Sequence, residues 1–177
     1  MEQGILIGGT GGQGIVAAGE FLSEALFMAG YEVINSRSYG SEARGGRCRS
    51  EVIVSDSEIY DLQLEEADIL IILSVPAFRS YQSQAKENAL VLVDSEVLDK
   101  LDEGEVRKDI ELVPIRASRT AKELGNPIVA NMVLLGALAK HSGLLRIEEL
   151  QDSVKEMMRP SMQEINFKAL EAGYSDA

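Results

Sequence analysis

Five of the seven residues from Gly8 to Gly14 are glycine, and they follow directly on the apolar run Gly4-Ile5-Leu6-Ile7. Beyond them, Ile15, Ala18, Leu22, Ala25 and Ala29 recur at helical spacing, with Glu20 and Glu24 on the opposite face. A buried strand, a glycine-rich turn and an amphipathic helix form the first βα unit of a doubly wound α/β fold. Glycine, lacking Cβ, takes positive φ and lets another backbone, ligand or subunit come close. The free N–H groups at the start of the helix favour an anion. Gly9-x-Gly11-x-x-Gly14 also has the spacing of the dinucleotide fingerprint, which further requires an acidic residue at the end of the second strand. That strand reads Tyr31-Glu-Val-Ile-Asn35 and ends in Asn35, Ser36 and Arg37, with Glu32 at its start. No Gly-Lys-Ser/Thr follows the glycines, so a P-loop is excluded. A tight turn packed on another protein surface is the preferred reading, and a free-standing nucleotide module is the alternative.

The remaining elements follow in order. Ser36 to Arg47 is too polar and glycine-rich for a regular element, and Cys48 to Val54 alternates as a strand. Asp56-Ser57 makes a turn and Leu62 to Ala67 a helical turn. Asp68–Leu73 and Ala89–Val93 are apolar runs expected of strands buried on both faces, with a helix from Pro76 to about Ala85 between them. Asp94-Ser-Glu reads as an exposed loop or a helix cap. Ile110 to Ile115, interrupted by Pro114, reads as an edge strand, followed by a short helix from Arg116 to Leu124. Asn126-Pro127 opens a long helix with Val129, Met132, Val133, Leu135 and Leu138 as its apolar set, ending near Gly143. Two further helices, divided at Arg159-Pro160, finish the chain. The expected fold is one domain over residues 1–177, a three-layer α/β/α Rossmann-like sandwich with a mostly parallel sheet and a helical C-terminal portion.

The side-chain inventory excludes most self-sufficient chemistry. One cysteine, Cys48, cannot make an internal disulfide, carry an iron–sulfur cluster or build a structural zinc site, and no metal site is expected. Beside Arg47 and Arg49 its thiol has a route to a lowered pKa, but a small packed side chain is the preferred reading. His141, the only histidine, falls at a helix C-terminus, where it meets the helix dipole. No catalytic residue is therefore assigned. With 29 acidic and 17 basic side chains the formal net charge is −12, which repels phosphate backbones and disfavours nucleic-acid binding. No leader is apparent, and no apolar run approaches the ~20 residues of a membrane span, so a cytoplasmic protein is expected. Tyr39, Glu42, Arg44 and Arg47 set among Gly40, Gly45 and Gly46 suit an interface hot spot or the rim of a ligand site.

Gly9-Thr-Gly-Gly-Gln-Gly14, Ser38-Tyr-Gly-Ser-Glu-Ala-Arg-Gly-Gly46, Arg49-Ser-Glu-Val-Ile-Val-Ser55, Leu92-Val-Asp94 and Asn126-Pro…Asn131-Met-Val-Leu-Leu-Gly136 together resemble the gamma subunit of 2-oxoacid:ferredoxin oxidoreductases. The resemblance covers about residues 4–170, and the wording around Tyr39 is most similar to the 2-oxoglutarate type, with pyruvate and indolepyruvate members as alternatives. It implies a hetero-oligomer with alpha and beta subunits, a delta subunit and a homodimer of the isolated chain being left open. The assembly would oxidatively decarboxylate a 2-oxoacid on thiamine diphosphate, pass electrons through iron–sulfur clusters to ferredoxin, and form an acyl-coenzyme A. Thiamine and clusters would lie in other subunits. Gly9, Gly11, Gly12, Gln13 and Gly14 would then form a close-approach turn facing a phosphate or a partner. Tyr39, Gly40, Glu42, Arg44, Gly45 and Gly46 would form the contact loop near the point where substrate enters.

Overall fold

The apolar run at the start of the chain is the middle of a longer strand, β1 (Glu2–Thr10), followed by helix α1 (Ile15–Met28). A computed structural model describes residues 1–39 and 46–176. Beyond α1 come β2 (Glu32–Tyr39), β3 (Arg47–Ser55), β4 (Ala67–Ile72), α2 (Val75–Tyr81), β5 (Ala85–Asp94) and α3 (Ser95–Leu98). The chain ends with β6 (Glu111–Ile115), α4 (Ala117–Glu123), α5 (Ala130–Ser142), α6 (Ile147–Met157) and α7 (Pro160–Asp176). The six strands form one sheet in the order β2-β3-β1-β4-β5-β6. β3 runs antiparallel to both of its neighbours, while β1, β4, β5 and β6 pair in parallel. Connections from β1 and from β4 leave toward opposite edges, so the switch point lies between the C-terminal ends of these two strands.

Side chains alternate across the sheet and build two cores. Ile5, Ile7, Ile69, Ile71 and Leu92 face α1 and α5, whereas Leu6, Leu70, Ile72, Val91 and Val93 face α2 and α3. That is the expected α/β/α layering with a mostly parallel sheet. On the first face, every residue of α5 from Ala130 to Ala139 is buried. The single apolar stripe expected for this helix is too narrow because α1, α4, α6 and α7 surround it.

Several boundaries differ from the sequence reading. Ser36–Tyr39, expected to be irregular, continues β2, because its backbone groups pair residue for residue with Cys48–Glu51 of β3. Leu62–Ala67 makes no helical turn, and Ala67 already belongs to β4. Of the two readings of Asp94, the helix cap holds and the exposed loop does not: the residue is the N-cap position of α3, is 2% exposed, and its carboxylate accepts hydrogen bonds from the backbone N–H and hydroxyl of Ser118 at the start of α4. β6 is the edge strand foreseen from Pro114.

Candidate functional site

Both glycine-rich passages meet at one end of the sheet. After β1 the chain turns tightly, with Gly14 at φ 70° as the helix N-cap residue. A side chain at position 14 would be strained in this left-handed geometry and would meet Asn131 Nδ2 at 2.5 Å. Asn131, 6% exposed on α5, donates from that nitrogen to the Gly14 carbonyl at 2.9 Å. Gln13 closes the turn. Its Oε1 accepts from the Thr10 N–H at 2.7 Å, and its Nε2 donates to the Leu73 carbonyl, just beyond β4, at 3.0 Å. Gly11 donates its N–H to the Gly46 carbonyl at 3.0 Å, tying the turn to the base of the β2–β3 connection.

The turn is therefore largely closed on its own chain. Gly9, expected in the turn, instead lies buried within β1 because its backbone pairs opposite Cys48 of β3. Gly11 and Gly12 are exposed at the tip, while Gln13 fills the switch-point crevice where a dinucleotide would place its pyrophosphate. Beside it, a cleft of about 530 Å³ is lined by Gln13, Leu73, Ser74, Arg79, Asp94 and Ser118. A smaller cleft of about 190 Å³ takes in Gly12, Lys122 and Ile128. Two of the cations on their rims are paired: Arg79 donates twice to Glu105, at 2.6 and 3.2 Å, and Lys122 donates to Glu96 at 3.0 Å. The Arg79 hydrogen bonds hold the Glu105 carboxyl below its ordinary range and raise the Arg79 guanidinium.

Of the predicted contact loop, Tyr39 ends β2, its backbone opposite Cys48, and Gly46 meets Gly11. Gly40, Glu42, Arg44 and Gly45 lie outside the described residues. Cys48 is buried, and desolvation pushes its thiol up, contrary to the lowered pKa that two neighbouring arginines would cause. The arginines alternate to the other face of β3 and do not share its environment. There Arg47 donates to Ser80 Oγ at 2.5 Å, and the Arg49 guanidinium lies 5.8 Å from the Tyr81 ring centre and 2.9 Å from Glu51 Oε1 as an ion pair. Tyr81 in turn rests on Gly8, where a Cβ would come within 2.6 Å of the ring.

His141 sits ten residues beyond Asn131 on α5, a rise of about 15 Å from the turn, and cannot serve a nucleophile there. Among the described residues no three His, Cys, Asp or Glu side chains are grouped to hold a metal. No helix among them is long and apolar enough to cross a membrane. Asn131 escaped the reading of the turn. It belongs to the Asn131-Met-Val-Leu-Leu-Gly136 passage of the family resemblance, but its link to the turn has only the signal of a polar residue among apolar ones in a helix, a pattern that calls for a hydrogen-bond partner.

Comparison with known proteins agrees with this geometry along the chain. The sequence profile described as "Pyruvate ferredoxin/flavodoxin oxidoreductase" matches residues 4–175. The 2-oxoglutarate synthase subunit KorC of Methanothermobacter marburgensis is 34% identical over 177 residues, spanning 98% of this chain and 95% of the relative. The crystal structure of a keto/oxoacid ferredoxin oxidoreductase gamma subunit from Geobacter sulfurreducens PCA superposes with a TM-score of 0.86 at 33% identity, covering 99% of this chain and 95% of that one. The 2-oxoglutarate:ferredoxin oxidoreductase of Magnetococcus marinus, with 2-oxoglutarate, coenzyme A and succinyl-CoA bound, gives 0.81 at 25% identity over 98% of this chain and 30% of that one. With the profile matching nearly end to end, the chain belongs to the pyruvate ferredoxin/flavodoxin oxidoreductase family.

Proposed function

We propose that this chain is the gamma subunit of a 2-oxoglutarate:ferredoxin oxidoreductase. The observation that carries the reading is the end-to-end similarity to a 2-oxoglutarate synthase KorC subunit. The Gly11–Gly46 hydrogen bond, which makes one structural unit of the two passages most typical of the family, supports it. In this reading thiamine diphosphate, iron–sulfur clusters and coenzyme A belong to the assembled complex, where they supply decarboxylation, electron transfer and acyl acceptance. The residues of this chain do not fit a cluster, since its one cysteine is buried in β3.

The contribution of the chain is then structural and positional. Gly11, Gly12, Gln13 and Gly14 present a rigid, close-approach turn to a partner or a phosphate. Tyr39, Gly40, Glu42, Arg44, Gly45 and Gly46 contact the alpha and beta subunits near the substrate path, and ferredoxin is reached through the complex. A cytoplasmic complex of this kind agrees with a chain that cannot form an internal disulfide. Purification through a tag on this chain from anaerobic extract tests the reading. Larger thiamine- and iron–sulfur-bearing chains should accompany it, and the eluate should reduce a viologen dye with 2-oxoglutarate and coenzyme A. Activity with pyruvate or an aryl pyruvate instead would correct the substrate. Recovery of the chain alone, without 2-oxoacid activity, would overturn the assignment.

A further inference from the structure

Among the described residues, the helical layer that carries α2 and α3 leaves one part of the sheet without a helix over it. α2 lies over β1 and reaches only the near side of β3, whereas α1 covers β2 and β3 from the opposite face. The face left open presents Ser36 and Ser38 of β2 beside Arg47, Arg49 and Glu51 of β3. Ser38 and Arg47 are exposed, and the Arg49 side chain is 31% exposed. Small serines on one strand next to arginines on the other make a shallow trough walled by guanidinium groups.

Its charge stands against that of the chain. The protein carries a formal net charge of −12, yet at the end of this face that holds Ser36 and Ser38 two arginines, Arg47 and Arg49, stand against a single acid, Glu51, whose side chain is only 12% exposed. The two guanidiniums on the open face are anchored before any partner arrives: Arg47 by Ser80, Arg49 by Glu51 and the Tyr81 ring. Anchoring lowers the ordering cost of binding, and arginine is enriched among interface residues that dominate affinity. Arg47 and Arg49 stand two residues apart on one strand, roughly 6.6 Å, which is also the repeat of side chains along one face of an extended partner. Separate anchors on Ser80 and Tyr81 hold the two groups side by side rather than converging on one small anion.

We propose that the open face of β2–β3 docks an acidic, extended segment of a partner subunit, with carboxylates on alternate residues meeting Arg47 and Arg49. The proposal rests on the gamma-subunit reading and adds to it the face that is used and the chemistry that fits it.

The complex, purified through a tag on this chain, supplies the test. Ser38→Cys labelled with a maleimide–benzophenone should photocrosslink to a larger co-purified chain about tenfold more than Arg119→Cys on α4, whose side chain is 65% exposed. Arg47→Glu should lower recovery of those chains about tenfold at about 0.1 M salt. Ser38→Trp, which fills the trough from an exposed position, should do the same if the charge reversal impairs folding. Unchanged recovery in a folded variant would overturn the proposal, as would crosslinks only to a second copy of this chain, or none within an intact complex. If the unmodified chain brings down no partner at all, the gamma-subunit reading fails first, and the proposal fails with it.

Discussion

Gln13 shows how much one side chain settles at this site. Both ends of its amide are used, one by Thr10 N–H and the other by the Leu73 carbonyl, so it joins the turn after β1 to the end of β4. Gln13→Ala leaves a donor and an acceptor unmet in a partly buried place. The expected loss is about 1–3 kcal/mol, read as a lower urea midpoint with unchanged slope. A shift within error would mean that water replaces both contacts. Cys48 makes a prediction of opposite character. Burial raises its thiol pKa, so the unfolded thiol ionises first as pH rises. The contribution of Cys48 to stability is thus complete below the ordinary thiol range, near pH ~8.5, and declines above it. Wild type should lose more stability than Cys48→Ala between about pH 7.5 and 9.5, and a thiol reagent should modify the native chain far more slowly than the unfolded one. Equal pH slopes for the two proteins would show that burial does not govern this thiol.

At the scale of elements, the closest contact joins α5 and α7. A Cβ at Gly173 would run into the Val133 carbonyl, and one at Gly136 into the Leu170 carbonyl, so both helices rely on bare backbone where they cross. Gly173→Ala has two opposing effects. Helix propensity favours alanine by about 1 kcal/mol, whereas forcing a methyl against a backbone oxygen moves the helices apart. Overpacking costs about 1–3 kcal/mol or more, so net destabilisation is expected, measurable as a fall in urea midpoint. A stabilised variant would mean that the helices separate without cost. The same elements show what the sequence could reveal. The turn and α1 are local: their spacing, φ demands and helix periodicity all lie within residues 4–30, so both are legible there, although residues 8–10 prolong β1 by pairing with β3 and the turn begins only after them. The last four residues of β2 are polar and become strand only through a ladder with β3, which no local propensity encodes. Asn131 finds its partner 117 residues away, so its part in the turn depends on the whole topology. Asp94 was placed correctly at a strand end, but its burial comes from α4 packing over it.

Charge acts on the molecule as a whole, and there the isolated chain and the complex should part. A net charge of −12 is confined by folding from an unfolded radius of gyration of about 45 Å to one of about 16 Å. Treated as a uniformly charged sphere, the folded chain carries roughly 9 kcal/mol of self-repulsion at about 0.01 M salt and roughly 4 at about 0.15 M. The unfolded chain changes by only about 1 kcal/mol over the same range. Ion pairs oppose this trend, since salt weakens them too. Those seen among the described residues are mostly exposed, such as Arg119–Glu123 with both side chains more than 60% exposed, and such pairs are worth about 0–1 kcal/mol each. Repulsion should therefore win by about 2 kcal/mol, raising the urea midpoint of the isolated chain by about 1 M at a slope near 2 kcal/mol/M. A flat or falling midpoint would show that the local pairs outweigh the net charge. Docking through Arg47 and Arg49 has the reverse dependence, because screening weakens attraction between guanidinium and carboxylate as surely as it relieves repulsion. One salt titration thus makes two predictions of opposite sign. The free chain should become harder to unfold while its partners elute, and loss of partners with a falling midpoint would instead trace their release to unfolding of this subunit.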